Sequence, residues 1–160
     1  MKKIIVISTI FFLFFSCDSK SVNIFEIELP NETIENKKFD IDDYKNKSVL
    51  LNFWFPSCPP CVYELEILNE INKELDSTSI IGVQVLGLDT QDDGVKMFQN
   101  KKILYKSIVD NGDSLVQNFE ITVFPTTILF DNKGDEIKRW IGIIDKEKVK
   151  KEIASLQTNE

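Results

Sequence analysis

The stretch from Val49 to Leu75 constrains this chain more than any other. Val49-Leu50-Leu51-Asn52-Phe53-Trp54-Phe55 is a nearly unbroken apolar run of strand length, and Pro56 ends it. A strand without polar alternation has to be covered on both faces, so it belongs at the centre of a sheet with helices packed against it. Ser57 leads into Cys58-Pro59-Pro60-Cys61, after which Val62, Leu65, Leu68, Ile71 and Leu75 recur three or four apart. That spacing predicts an amphipathic helix, with Glu64, Glu66, Glu70 and Glu74 on its other faces. The cysteine pair therefore stands between the end of a buried strand and the start of a helix.

This position gives the thiols their chemistry. Unpaired N–H groups and the positive end of the dipole at a helix start favour thiolate over thiol, lowering the cysteine pKa from about 8.5. Cys58, the N-terminal member, is the expected attacking thiolate. Two intervening residues let Cys61 resolve the mixed disulfide, and Pro60 in the first turn costs no hydrogen bond. Half of a zinc site is a rival reading, but the chain has three cysteines and no histidine to complete it. A purely structural disulfide is the other. The missing histidine also removes Ser-His-Asp and Cys-His catalysis, and three cysteines cannot build a disulfide-dense scaffold. No metal and no cofactor beyond the Cys58–Cys61 disulfide is expected. A formal charge of -7 and a pI near 4.7 disfavour a nucleic-acid partner, because phosphate binding needs clustered Lys and Arg.

The third cysteine reads as an address. Met1-Lys2-Lys3 is a positive head, Ile4 to Phe15 is mostly apolar, and Ser16-Cys17 follows. An apolar run of this length is too short for a spanning helix, which needs roughly 20 residues, and fits an export signal over 1–16. A small residue before a cysteine at that point resembles a lipoprotein signal, with Cys17 acylated as the mature N-terminus and 17–23 tethering the domain to the bilayer. An ordinary signal peptide is the alternative. Cleavage before Cys17 would remove Lys2 and Lys3 and no acidic residue, moving the formal charge from -7 to -9.

Downstream, Ile24–Leu29 alternates apolar and acidic residues in a strand-like pattern stopped by Pro30, and a short helical turn is expected around Ile41–Tyr44. Ile80–Leu88 reads as a second buried strand, 92–100 as a helix, 106–110 as a strand and 113–119 as a helix. Strands 126–130 and 136–141 are joined by Asp131-Asn132-Lys133-Gly134, a turn-rich hairpin, and Asp145 caps a helix over 146–156. Strands alternating with helices imply an α/β fold with a central mixed sheet in one domain, 24–156, followed by a tail at 157–160.

The run Asn52-Phe53-Trp54 through Cys58-Pro59-Pro60-Cys61, with Phe124-Pro125-Thr126-Thr127 before a later strand, resembles thioredoxin-fold proteins. The likeness is greatest to the TlpA/ResA branch of membrane-tethered thiol-disulfide oxidoreductases. The resemblance implies a thioredoxin fold with an N-terminal extension and a helix-containing insertion at Asp92–Tyr105. It implies that Glu64, one turn after Cys61, is the active-site glutamate that exchanges a proton with Cys61, the alternative being a solvated helix glutamate. Asn52 holds the place where thioredoxin has a buried aspartate. Pro125 is the implied cis-proline, and the backbone at Phe124 would pair with extended substrate. Phe124 and Trp54 could supply apolar contact area, or could equally be core. Two departures stand out: Pro56 and Ser57 replace the small polar residue and Trp that commonly precede the first cysteine, and Glu66 replaces a frequent proline.

The implied activity is a lipid-anchored, extracytoplasmic exchange of dithiol for disulfide in exported proteins, tilted toward reduction, with a membrane thiol-electron carrier as reductant. One rival is a peroxiredoxin-type peroxidase, against which Phe55 stands where a Thr would precede the peroxidatic cysteine. Another is a non-catalytic thioredoxin-like lipoprotein, a binding or chaperone module with a stapling disulfide.

Overall fold

A computed structural model of the chain describes residues 22–157, so the expected signal segment and Cys17 lie outside the described residues. The apolar run forms β1 (Ser48–Trp54), buried from Val49 to Trp54. It pairs in parallel with β2 (Thr78–Val85) and antiparallel with β4 (Thr126–Phe130). β3 (Lys106–Asp110) extends the sheet beyond β2, and β5 (Glu136–Ile141) closes the hairpin on β4, giving the order β3-β2-β1-β4-β5. The sheet is mixed, with β1 at its centre.

Alternation along β1 divides the core. Leu50 and Trp54 face one layer with Leu65, Leu68 and Ile71 of α1 (Pro59–Glu74), Phe98 of α2 (Gln91–Lys101), and Val149 and Ile153 of α4 (Lys146–Gln157). Val49, Leu51 and Phe53 face the other, with Leu115 of α3 (Ser114–Asn118), Phe119 and Phe130. Ile24 and Phe39 close that layer from the N-terminal extension, which runs along the free edge of β3 through the Thr33–Ile108 bridge and Ile34 N–H to Ser107 O at 2.8 Å. Covering that edge blunts unwanted strand pairing.

Three expectations change. Ile24–Leu29 is not a strand; Ile24–Glu26 is a 3₁₀ turn capped by the Asn23 side chain. Alternation suits a strand only where an edge is free to pair, and here Ile24 is drawn wholly into the core. The fold also begins earlier than a tether ending at Asn23 allows, because Asn23 donates to Lys133 O at 3.0 Å and Asp135 Oδ1 at 2.9 Å in the β4–β5 turn. Finally, β2 stops at Val85 rather than Leu88. Its partners end there, with Trp54 opposite Gln84 and Asp110 opposite Val85, and Leu88 is 92% exposed on the loop that follows.

The insertion adds the expected helix and, through it, the edge strand β3. Thr90 and Asp93 form a reciprocal capping box at the start of α2, and Lys102 ends it in the left-handed conformation. Gly94 lets the end of the Gln84 side chain lie against this helix, and a Cβ there would force that amide to shift. Among the described residues, no helix is long and apolar enough to cross a membrane.

Candidate active site

The end of β1 delivers Pro56 and Ser57 to the start of α1, and Cys58 is the N-cap residue of that helix. Cys58 and Cys61 are joined as a disulfide. The two sulfurs differ in access: Cys58 is 6% exposed and Cys61 fully sealed. An incoming thiol or disulfide can therefore reach Cys58 alone. The Cys61 N–H points at Cys58 Sγ from 3.3 Å, while the Val62 N–H is used by Cys58 O at 3.0 Å. Pro59 and Pro60 carry no N–H, so Cys61 supplies the helix-start donor to that sulfur.

Glu64 lies one turn after Cys61 and is fully buried. It is not a solvated helix glutamate. Asn52 Nδ2 and Thr127 Oγ1 donate to Oε2 at 2.7 and 3.2 Å, and the Ile144 N–H donates to Oε1 at 2.9 Å. Burial raises the carboxyl pKa from 4.5 to about 7, against the lowering effect of the Ile144, Thr127 and Asn52 donors. The group is thus poised to hold or release a proton near neutrality. Asn52, also buried, bridges to Thr127 Oγ1 at 3.0 Å, and its Oδ1 has no hydrogen-bond partner. A flip of the Asn52 amide would turn that oxygen toward Glu64, supplying an acceptor when the carboxyl is protonated.

The Phe124–Pro125 bond is cis, and Pro125 is buried with its carbonyl accepting Gly142 N–H at 2.8 Å. Pairing of β4 with β1 ends at Thr126 opposite Phe53, so the Phe124 backbone lies just beyond the ladder. Phe124 is half-buried, edge-on to Phe55 with ring centroids 5.2 Å apart.

Trp54 does not line a substrate surface. It is fully buried, stacks on Phe98 at 5.1 Å and donates Nε1–H to Ser107 Oγ at 3.2 Å. The pleat turns it beneath α2, and Gly82 leaves room for its indole, since a Cβ there would stand 3.1 Å from Nε1. Glu66, replacing the frequent proline, pairs with Lys101 at 2.7 Å and ties α1 to α2.

Sequence reasoning missed three partners. Ile144 contributes a backbone N–H, which no residue letter reports. Thr127 was quoted only as part of the proline motif, yet its hydroxyl reaches Glu64. Asp89, in the loop after β2, accepts hydrogen bonds from Ser57 N and Oγ, a pairing across 32 positions that carries no spacing signal.

Comparison with known proteins agrees with this geometry. The Redoxin family matches residues 21–156. The thiol-disulfide oxidoreductase ResA of Bacillus thuringiensis (strain Al Hakam) is 32% identical over 128 residues, spanning 76% of this chain and 72% of ResA. The crystal structure of StoA from Bacillus subtilis is similar with a TM-score of 0.66 and 26% identity, over 78% of this chain and 93% of StoA. A thiol-disulfide isomerase from Corynebacterium glutamicum shares the fold at a TM-score of 0.73 and 20% identity, over 82% of this chain and 93% of its own. The chain belongs to the Redoxin family and is a TlpA/ResA-like, thioredoxin-fold thiol-disulfide oxidoreductase with Cys58 and Cys61 as its CxxC pair.

Proposed function

We propose that this oxidoreductase is held to the extracytoplasmic face of a membrane by a lipid on Cys17 and reduces disulfides in exported proteins. The observation that carries the exchange chemistry is the graded burial of Cys58, Cys61 and Glu64. The reachable Cys58 thiolate attacks one sulfur of the client disulfide, and the other client sulfur leaves as thiolate. Cys61, giving its proton to Glu64, then attacks Cys58 Sγ and releases the second client thiolate. The client gains two electrons and the protein ends as the Cys58–Cys61 disulfide, to be reduced again by a dithiol electron carrier of the membrane.

The reductive direction is supported by the helix start. A strong oxidant of this fold owes its potential to a stabilised reduced form. Here Pro59 and Pro60 withhold two donors that would otherwise stabilise the Cys58 thiolate, which favours the disulfide and hence electron donation. Phe124 and Pro125 are the proposed client-pairing edge, where an extended segment adds as a strand. The chain enters the described fold beside the β4–β5 turn, at the far end of β4 from Pro125. With a lipid on Cys17, the disulfide would face away from the bilayer toward soluble clients.

The test is a trap. In cells producing Cys61→Ala, mixed disulfides with exported proteins should accumulate on Cys58 in the membrane fraction, and radiolabelled palmitate should enter the protein unless Cys17 is changed to Ser. An absence of adducts overturns the exchange reading; no label in the native chain, or label that persists without Cys17, overturns the anchor.

A further inference from the structure

The residue before the attacking cysteine is held by a carboxylate from another element. Asp89 Oδ2 accepts both the Ser57 N–H, at 2.8 Å, and the Ser57 hydroxyl, at 2.7 Å. Asp89 is itself fixed from both sides. Leu86 N–H bonds to Asp110 O at 3.2 Å, buried Gln84 donates Nε2–H to Thr90 O at 2.8 Å, and Thr90 is locked in the capping box of α2. The loop, tied at Leu86 and Thr90, brings a negative charge to the residue before Cys58.

Two consequences follow for the sulfur. A neighbouring anion disfavours thiolate. In addition, the Ser57 N–H and hydroxyl, the donors next to Cys58 on its N-terminal side, are committed to a carboxylate. Among the described residues, the side-chain hydrogen bonds of Ser57, Cys58 and Asp89 involve no Lys or Arg. Around the disulfide, α1 brings Glu64, the proline loop brings Phe124 and Pro125, and the loop before α4 brings the Ile144 N–H, already bonded to Glu64.

We propose that Asp89 is a positioning residue that acts through Ser57 and its own charge to destabilise the Cys58 thiolate, lowering the reduction potential of the Cys58–Cys61 pair. Where Cys58 ionises, the half-reaction is disulfide plus two electrons and one proton giving the Cys58 thiolate and the Cys61 thiol. A charge that penalises the thiolate form of the product shifts this balance toward the disulfide, so the protein gives up electrons more readily. The inference rests on the exchange reading above and adds to it the group that sets direction.

The experiment compares the full chain with D89N, which keeps an oxygen acceptor for Ser57 and removes the charge, and with D89E, which restores it. Cys58 pKa is read from the pH dependence of iodoacetamide alkylation, and the potential from equilibration with a dithiothreitol couple. D89N should raise the thiolate-to-thiol ratio at neutral pH on the order of threefold to tenfold. Read at a pH above the Cys58 pKa, where thiolate dominates the reduced form, the equilibrium should move toward that form by the same factor, with ~30 mV for a tenfold change. D89E should return both toward native values. If D89N fails to fold, D89S, a charge-free change in an accessible loop, reads the same quantities. Native pKa and equilibrium in the charge-free variant, with only the melting temperature lowered, would make Asp89 a loop staple and overturn the proposal. Failure of the native protein to exchange with dithiothreitol at all would instead sink the exchange reading.

Discussion

Replacing Glu64 by Gln separates the cost of a buried charge from the rest of the fold. The carboxyl is fully sealed, and burial moves its pKa from 4.5 to about 7. An unfolded chain releases this proton near 4.5, whereas the folded chain keeps it until about 7. Through that window the native state binds more protons than the unfolded one, so stability falls as pH rises. The contribution is fully present below 4.5 and lost as pH passes 7. At about 1.36 kcal/mol per pKa unit, the whole loss is ~3 kcal/mol. A glutamine amide does not ionise, so the Glu64→Gln variant escapes this loss. The amide oxygen can still accept from the Ile144 N–H, and the Asn52 amide can flip to offer Oδ1 to the new N–H. Urea melts of the disulfide form at pH 4, 6 and 8 read the difference directly. At a typical slope of about 1–3 kcal/mol per molar, the gap between variant and native midpoints should widen by roughly 1–3 M from pH 4 to pH 8. Parallel pH dependences would falsify the argument, showing that the carboxylate is fully stabilised where it lies. The same variant should lose the limb near pH 7 in the rate of thiol-disulfide exchange.

Thr127→Val removes one donor to the carboxylate, so the Glu64 pKa should rise further and the exchange profile should move to higher pH; a shift downward or none would detach Thr127 from the proton site. Trp54→Ala should cost about 3–5 kcal/mol in urea melts, as a large core deletion does. Trp54→Phe should leave the KM for a disulfide peptide unchanged, and a raised KM would restore Trp54 to the client surface.

The strands were legible where turns or two-sided burial bound them. β3, β4 and β5 fall on 106–110, 126–130 and 136–141 as read from the residues, and β1 differs by one position at each end. The Ile24–Leu29 pattern misled because alternation reports a face, and whether an edge is free to pair is a property of the assembled sheet. Leu88 misled in the same way, being apolar beyond the point where β2 has neighbours. At the site, Cys58 and Cys61 were legible from position, while Glu64 needed both helical spacing and resemblance. Its three donors come from β1, β4 and the loop before α4, and one of them is a main-chain group. Trp54 could be assigned only once the pleat and Gly82 showed which way its indole turns.

The two carboxylates that flank the disulfide divide the work by exposure. Cys61 is sealed, so when it becomes the nucleophile its proton has no direct path to water and must pass to a neighbour of matched affinity. Tyr105, the other buried titratable side chain packed in this layer, does not qualify: burial, and then the charge of Glu64, hold its phenol well above 10, so it keeps its proton. Glu64 is the acceptor proposed above, and the burial that raises its pKa is offset by three donors that prevent a still higher value. Asp89 remains partly open to solvent and stands beside the accessible Cys58, where its charge acts on thiolate stability without taking part in proton transfer. Removing the charge from Asp89 should therefore move the potential, and removing it from Glu64 should move the pH profile; a protein in which either change moved both equally would have one electrostatic site where this geometry has two.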